Sequence, residues 1–258
     1  MLGKRNPAVA STALLAGLLL SACTSNGEGT GVGSSGGAIT GSSSGGPPNN
    51  GTGPTSITQG GNPVSGHFVC TQSASAYGNA TTAVGTNGLV GGPLTTLLNT
   101  LGGTTATTLL NSVVNPNNVI DGNLSTYASY TLTLGLLGGL LDSVDLSVLM
   151  PSGTTVPVGQ FAVFGISFPN GTVDLSLLNT VAVTTYLNNV QQETHSLSQS
   201  DLSLLGIIGG STVPPTWIGL EVTKPYDRAT LSLTPGVLTV DVGDAMNAYE
   251  FCPGGTLS

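Results

Sequence analysis

Apolar and polar residues alternate with a period of two along most of the chain after Asn118. This alternation is typical of half-buried β-strands, and turn signals rich in Gly, Pro and Asn separate the segments that show it. Short strands with little helix between them indicate an all-β sandwich or barrel. The strands predicted on this basis are 127–134, 144–150, 161–168, 181–187, 216–222, 229–233, 237–242 and 246–251.

One stretch before these strands has a helical period instead. Leu94, Leu97, Leu98 and Leu101 follow the spacing i, i+3, i+4 and i+7, with Pro93 in front of them. Residues with this spacing share one face of a helix, and the two glycines that follow are a stop signal. We therefore expect one or two short helices beside the strands.

The N-terminal residues have the pattern of an export signal. Lys4 and Arg5 form a positive region, and the uncharged apolar run 8–20 that follows is too short to span a bilayer as a helix. The run ends in Leu-Ser-Ala-Cys, which resembles the lipobox of bacterial lipoproteins. We therefore interpret residues 1–22 as a lipoprotein signal peptide. The alternative is an ordinary secretory signal followed by a chance cysteine.

The resemblance to lipoproteins implies a covalent lipid anchor at Cys23. In that family the cysteine thiol receives a diacylglyceryl group, and cleavage leaves the acylated cysteine, with palmitate-type chains, as the N-terminus. Two or more acyl chains hold a protein stably on a bilayer, whereas a single chain is marginal. Thr24 follows where Asp would favour the inner membrane, so the outer membrane is expected in a Gram-negative cell. The predicted location is the bacterial cell envelope, surface-exposed, with the lipid bilayer as a partner.

The residues after the anchor are predicted to form a tether. Residues 23–63 are rich in Gly and Ser and show no apolar period. Such a segment cannot bury enough surface to offset the entropy lost on ordering, so we expect disorder. The remaining residues, 64–258, are long enough to form one domain with a sizeable core.

The charge balance narrows the choice of partners. The whole chain has four Lys and Arg against twelve Asp and Glu, a net charge of −8. Without the signal segment only Lys224 and Arg228 remain as cations, and the net charge becomes −10. This balance argues against nucleic acid and against anionic lipid headgroups as partners. With Cys23 acylated, Cys70 and Cys252 remain in an oxidising compartment, where a disulfide between them is the natural interpretation.

The segment 119–127 reads Val-Ile-Asp-Gly-Asn-Leu-Ser-Thr-Tyr. It resembles the Asp-Gly-Asn turn found early in discoidin-like, galactose-binding-like β-sandwich domains, although Tyr127 stands where that family has Trp. The resemblance implies a jelly-roll-like antiparallel β-sandwich whose first and last strands are joined by a disulfide. It also implies a structural Ca²⁺ held by Asp121, Thr126 and Glu250. A turn held by hydrogen bonds alone is the alternative.

The phase of Glu250 in its predicted strand supports the calcium hypothesis. Glu250 follows Met246 and Ala248 at alternate positions, so its side chain is expected to face inward. A buried carboxylate is costly unless a cation, a proton or hydrogen bonds neutralise it. Because Lys and Arg are scarce here, a metal is a plausible partner. We therefore predict that Asp121 and Glu250 meet in space although they are distant in sequence.

Two residues are candidates for ligand binding. Trp217 could stack on a sugar ring, although a lone Trp is more often a core residue. Arg228 could bind a sugar or a carboxylate with its planar fork of donors. The alternative for Arg228 is a local ion pair with Asp227 at the entrance of a strand.

His195 lies in a polar stretch that is typical of a solvated loop.

No sequence signature of catalysis stands out. The motifs HExxH and CxxC are absent from the sequence, and GxSxG is matched only at 33–37 and 41–45, inside the Gly/Ser-rich segment. We therefore predict a non-catalytic binding or adhesion module, with a glycan or another cell-envelope polymer as its ligand class by resemblance. The alternative is a structural surface protein or assembly component without a small ligand. A glycan hydrolase is a remote alternative, since paired carboxylates exist but the sequence cannot place them across a bond.

Overall fold

Two β-sheets packed face to face dominate the structure, which is a computed structural model. It describes residues 53–101, 103–132, 143–169, 178–205, 215–235 and 243–258. This architecture confirms the predicted all-β sandwich. The larger sheet has seven strands, numbered here in chain order. In spatial order they are β2 (Asn62–Val64), β1 (Thr55–Gln59), β11 (Thr216–Glu221), β8 (Phe161–Ser167), β13 (Gly243–Cys252), β6 (Ala128–Leu132) and β5 (Val113–Val114).

A five-stranded sheet and a two-stranded sheet complete the β-structure. The five-stranded sheet contains, in spatial order, β10 (Val190–Ser198), β9 (Leu178–Leu187), β12 (Arg228–Pro235), β7 (Val144–Leu149) and β4 (Thr81–Gly85). The two-stranded sheet pairs β14 (Gly254–Leu257) with β3 (Phe68–Gln72). Every pairing is antiparallel among these strands except that of β1 with β11, which is parallel.

Helices cover one side of the sandwich. The predicted helix is present as α1 (Gly91–Leu101), and a second helix, α2 (Gly103–Leu110), follows it. Both lie in the chain between β4 and β5, the edge strands of the two main sheets, and they bury Leu94 and Leu109 in the core between the sheets. Covering an edge in this way protects its unpaired backbone groups.

Three shorter helices lie in the connections. The third α-helix, α3 (Gln199–Leu204), follows β10, and 3₁₀ helices span Ala74–Tyr77 and Pro116–Val119. Among the described residues no helix is long and apolar enough to cross a membrane.

The main core lies between the two large sheets and follows the period of two. Along β8, Ala162, Phe164 and Ile166 face this core, whereas Phe161 and Val163 belong to a second core on the opposite face. Successive residues of a strand point to opposite faces, so a strand buried on both faces reads as a continuous apolar run. That is the reason for the nearly unbroken apolar stretch in this part of the sequence.

The second core holds the two-stranded sheet against one half of the outer face of the seven-stranded sheet. Phe68 of β3 packs against Phe161 and Trp217, with ring centroids 5.2 and 5.4 Å apart. The disulfide between Cys70 and Cys252 joins the same layers, with Cα atoms 5.7 Å apart. The predicted disulfide is thus confirmed, and it links an early strand to the last long strand.

The folded domain begins earlier than the predicted boundary at residue 64. Residues 55–59 form β1, and 62–64 form β2 at the edge of the large sheet. Ile57 is the apolar residue that β1 buries, with 2 % of its surface exposed. One apolar residue in a polar segment produces no visible period, and Pro63 is tolerated because edge strands need fewer ladder donors. The tether prediction is therefore wrong for residues 55–63.

Other predicted elements divide into three groups. The strands predicted between 144 and 187, and those at 216–222, 229–233 and 246–251, are confirmed with small shifts at their ends. The polar stretch around His195, predicted as a loop, is strand β10. The predicted strand 237–242 and the last two residues of the strand predicted at 127–134 lie outside the described residues.

Candidate functional site

The turn that begins with Asp121 is held by its own side chains. Asp121 Oδ1 accepts from the backbone N–H of Asn123 at 2.8 Å, and Asp121 Oδ2 accepts from Thr126 Oγ1 at 2.8 Å. Asn123 Oδ1 accepts from the N–H of Ser125 at 3.0 Å. Gly122 has a φ of 78°, a conformation that side-chain-bearing residues rarely adopt. Asp-Gly-Asn therefore acts as a turn former, as its composition predicts.

Glu250 approaches this turn from β13. Its Oε2 accepts from the backbone N–H of Gly122 at 3.0 Å, across 128 positions of sequence. A β-bulge between Ala248 and Phe251 breaks the register with β8, and a bulge of this kind re-aims side chains. The structure therefore places the turn and Glu250 together, and Asp121 is close enough that its charge acts on Glu250.

The environment of Glu250 disfavours its charged form. The residue is fully buried, and its Oε1 has no hydrogen-bond partner in the described part of the chain. Burial, with the charge of Asp121 as a smaller contribution, raises the pKa of Glu250 from 4.5 to about 8, although the Gly122 N–H opposes the shift. A carboxyl group in this position needs a proton or a cation on Oε1.

The donor set fits Ca²⁺ in its chemistry, although it supplies few side chains. Asp121, Thr126 and Glu250 offer oxygen atoms, which Ca²⁺ prefers, and the orphaned Oε1 of Glu250 is a free acceptor. In the described part of the chain no group of three or more His, Cys, Asp or Glu side chains is placed to hold a metal ion. Backbone carbonyls would have to supply the remaining ligands. Calcium binding here stays a prediction.

Arg228 belongs to a buried polar network on the five-stranded sheet. Its side chain is 4 % exposed, its guanidinium lies 3.8 Å from the centroid of the Tyr186 ring, and its Nη1 donates to the Gly88 carbonyl at 2.8 Å. Asp145 lies in the same network, and its carboxylate accepts from the Gly88 N–H and from Ser143 Oγ. These contacts give Arg228 a structural role in addition to any contact with a ligand.

Trp217 does not offer an open ring face. It is 6 % exposed and packs against Phe68 in the second core. Gly165 lies beside it, where an added Cβ would come within 3.3 Å of Trp217 Cζ3. This burial rules out the sugar-stacking role considered for Trp217 and agrees with the alternative, a core residue. The sequence could not show that the large sheet is covered on its outer face.

Two tyrosines lie on the half of that outer face which the two-stranded sheet leaves open. Tyr127 is 43 % exposed, and its ring lies 5.5 Å from the ring of Tyr249, at an interplanar angle of 58°. Tyr249 is partly buried and its Oη lies 3.2 Å from Ser167 Oγ. Sequence reasoning missed both as ligand candidates, although Tyr127 was visible as the substitute for the family's Trp.

Polar side chains continue this surface along three neighbouring strands. Asn247 of β13 is in register with Ser129 of β6 and with Ser167 of β8. Ser129 Oγ donates to Asn247 Oδ1 at 3.0 Å, and all three residues are partly exposed. We call the surface formed by Tyr127, Tyr249, Asn247, Ser129 and Ser167 the tyrosine face. It combines exposed aromatic carbon with uncharged hydrogen-bonding groups.

A Ser–His pair links the two main sheets near β1. Ser56 Oγ lies 3.0 Å from His195 Nε2, and His195 is half-buried. Asp201 acts on His195 only through its charge, because its Oδ2 caps α3 by accepting from the N–H and the hydroxyl of Ser198. The arrangement connects β1, the strand next to the edge of the seven-stranded sheet, to β10, an edge strand of the five-stranded sheet.

Comparisons with known proteins assign neither a family nor a ligand to this chain. No protein-family model and no curated protein matches the chain. Among solved structures the chain is similar to one described as "X-ray structure of GH31 CBM32-2 bound to GalNAc", with 12 % identity and a TM-score of 0.28. The similarity covers 67 % of this chain and 99 % of that chain. At this TM-score the likeness adds nothing to the assignment of a ligand.

Proposed function

We propose that this chain is a lipid-anchored binding module of the bacterial cell envelope, and that its sandwich domain binds an uncharged glycan chain on the tyrosine face. The observation that carries the proposal is the exposed Tyr127 ring, paired with the partly buried Tyr249 beside a row of hydroxyl and amide groups. Aromatic rings stack against the C–H faces of sugars, while amides and hydroxyls bond to sugar hydroxyl groups.

The charges of the domain support an uncharged ligand. Lys224 is exposed, and its Nζ donates to the Gln192 carbonyl, whereas Arg228 is buried in its network. Neither cation lies on the tyrosine face, and the charge of −10 expected for the mature chain repels polyanions. A neutral polysaccharide avoids this repulsion, and its binding depends little on salt.

A glycan array probed with residues 24–258, the mature chain without its lipid-bearing Cys23, tests the proposal. We expect binding to a neutral polysaccharide that weakens about tenfold in Tyr127→Ala and in Tyr249→Ala, because each loses an aromatic contact. Tyr127→Phe is the matched variant, since it keeps the ring and should retain most of the affinity. Binding only to polyanions, or equal binding by all variants, would contradict the proposal.

A second outcome would favour an assembly component instead. If no glycan binds and the chain self-associates in light scattering, with Tyr127→Ala abolishing the association, the tyrosine face is a protein interface. Exposed aromatic residues are enriched in such interfaces as well as in sugar sites. The array and the scattering measurement therefore separate the two functions.

The anchor is the other part of the proposal. The export pattern, the lipobox and the Gly/Ser-rich segment after Cys23 support a lipoprotein that presents its domain at a distance from the bilayer. We expect Cys23→Ser to remove the chain from the membrane fraction, whereas Thr24→Ser leaves it there. A Cys23→Ser chain that is processed normally and stays with carbonate-washed membranes would contradict lipid anchoring.

A further inference from the structure

A concave site lies at one end of the sandwich. It is a cleft of about 390 Å³ between the start of the β7–β8 connection, the β9–β10 turn and the start of β12. This volume is within the range of small-molecule sites, about 300–1,000 Å³. None of its lining residues belongs to the tyrosine face.

Asp227 fixes the walls of the cleft. Its carbonyl accepts from the Met150 N–H at 2.8 Å, and its own N–H donates to the Tyr186 carbonyl at 2.9 Å. Its Oδ2 accepts from the N–H of Asn188 at 2.9 Å. One residue therefore ties the β7–β8 connection to the β9–β10 turn, so the cleft is formed before a ligand arrives.

Two turns give the cleft a defined polar rim. Asn188 and Asn189 have φ values of 51° and 64°, which suit a tight hairpin turn and which Asn tolerates. On the other side, Thr154 N–H donates to the Pro151 carbonyl at 2.9 Å, around Gly153 with a φ of 80°. The rim thus presents side-chain amides and threonine hydroxyls at fixed positions.

The chemistry of the lining selects the ligand. Asp227 Oδ1 has no hydrogen-bond partner among the described residues, so it can accept from a ligand. Arg228, the cation of the lining, is 4 % exposed and engaged with Tyr186 and Gly88. Leu149, Met150 and Leu187 supply apolar surface. A free carboxylate oxygen, amides, hydroxyls and an apolar wall suit a ligand that is rich in hydroxyl donors and carries no negative charge.

We infer that this cleft is a second glycan subsite, which takes one neutral sugar unit through hydrogen bonds from its hydroxyl groups to Asp227 Oδ1. The inference rests on the proposed glycan-binding function and deepens it, because two separate subsites favour polymers over single sugars. Linking two weak contacts in one chain raises the overall affinity above that of either contact.

The test maps each subsite separately by amide NMR on the ¹⁵N-labelled mature chain. The probes are D-galactose, D-glucose, D-mannose and N-acetyl-D-glucosamine, with D-galacturonate as the anionic comparison. We expect a neutral sugar to shift the amides of residues 150–155, 187–189 and 227, and galacturonate to bind at least tenfold more weakly. Asp227→Asn keeps an acceptor for the Asn188 N–H but loses the charge, and it should weaken this binding at least tenfold.

Matched variants keep the result interpretable. Asn189→Gly removes a rim amide while retaining the positive φ, and it should weaken binding several-fold. Asn87→Gly, at another exposed position with a φ of 52°, should not change it. Glu221→Gln is the corresponding control for loss of a carboxylate outside the cleft.

The outcomes distinguish the inference from the function on which it rests. If a polysaccharide binds and depends on Tyr127, but no sugar shifts the cleft amides, the second subsite is refuted and the glycan function stands. If Asp227→Asn folds normally and binds as tightly as the parent, the inference is also refuted. If no sugar or polysaccharide binds at all, both are wrong.

Discussion

Asp145 and Glu250 are both fully buried carboxyl groups on strands, yet their surroundings differ. The Asp145 oxygens accept from the Gly88 N–H at 2.6 Å and from Ser143 Oγ at 2.7 Å, and the positive charge of Arg228 lies nearby. Glu250 Oε2 accepts from the Gly122 N–H at 3.0 Å, its Oε1 has no hydrogen-bond partner among the described residues, and the charge that acts on it is the carboxylate of Asp121.

The difference separates a structural carboxylate from one that needs an added partner. Burial raises the pKa of Asp145, but three hydrogen bonds and Arg228 act against the shift. Burial raises the pKa of Glu250 to about 8 and the charge of Asp121 adds to the shift, although the backbone N–H groups of Gly122, Asn123 and Ala74 act against it. A buried polar group is stable when its acceptors are satisfied, so Asp145 is complete within the protein whereas Glu250 requires a proton or a cation.

The largest expected effect is a loss of stability as the pH rises in the presence of chelator. The pKa of Glu250 is higher in the folded state, about 8, than its ordinary 4.5, so the folded state binds the proton more tightly. Its contribution is therefore complete below pH 4.5 and is lost as the pH rises to 8, by up to about 5 kcal/mol. Urea unfolding at pH 5, 7 and 8.5 measures the loss.

Glu250→Gln is the control for that profile. Gln is neutral at every pH, so the variant should match the parent within about 1 kcal/mol at pH 5 and exceed it at pH 8.5. A parent protein whose stability is the same at pH 5 and pH 8.5 would show that Glu250 is already neutralised.

The second-largest expected effect is the loss of stability when the charge of Asp145 is removed. Asp145→Asn removes the charge that faces the buried Arg228, and we expect a loss of about 3 kcal/mol at both pH 5 and pH 8.5. Chemical unfolding of Asp145→Asn beside Glu250→Gln makes the comparison direct. Equal behaviour of the two amide variants would remove the distinction between a satisfied and an unsatisfied carboxyl group.

The third effect is calcium binding at the Asp121 turn. If Ca²⁺ occupies the free side of Glu250, it stabilises the fold by roughly 2.7 kcal/mol at a hundredfold excess over Kd. The rise in Tm should be larger at pH 8.5 than at pH 5, because the proton competes for the same oxygen. Asp121→Asn should lose the response. An unchanged melting curve with chelator and with Ca²⁺ would leave a turn held by hydrogen bonds alone.

The sequence predicts the strands that bury apolar residues and misses those that do not. The strand around Phe164 is apolar on both faces, and the strand around Leu146 is apolar on one face. Their patterns in the sequence are therefore clear. β10 is polar along most of its length, since it is an edge strand, and it therefore resembles a loop.

The sequence predicts one or two short helices but does not locate α2, because the sequence of this helix is rich in Thr. The hydroxyl of Thr107, like those of Thr95, Thr96 and Thr100 in α1, donates to the carbonyl four residues earlier, which reconciles these residues with helix.

The site is harder to predict because it depends on which half of a sheet is covered. The Asp-Gly-Asn turn and Glu250 are visible as local motifs, and their meeting follows from the family resemblance. In the sequence, Trp217 and Tyr127 are both aromatic residues near the start of a predicted strand, so nothing distinguishes them. Only the packing of Phe68 over one half of the outer face buries Trp217 and leaves Tyr127 exposed.

The smallest expected effect comes from His195. Its contribution to stability changes with pH in the opposite direction to that of Glu250. Burial lowers the pKa of His195 below 6.5, with the charge of Asp201 acting against the shift. The folded state therefore binds the proton less tightly, and this contribution is present above pH 6.5 and lost as the pH falls below it. His195 is only half-buried, so solvent screening keeps the change below about 1 kcal/mol.

The Ser56–His195 contact joins the two main sheets, so the protonation of His195 also acts on the strand that contains Ser56. Ser56 is in register with Ile218, which faces the main core, so its hydroxyl points toward the five-stranded sheet that contains His195. Ser56→Ala should cost about 1 kcal/mol at pH 7.5, the usual value of one hydrogen bond, and less at pH 5. Val64→Ala, in the neighbouring strand, is a control for general loosening of this edge. If Ser56→Ala costs the same at both pH values, the hydrogen bond does not depend on the protonation state of His195.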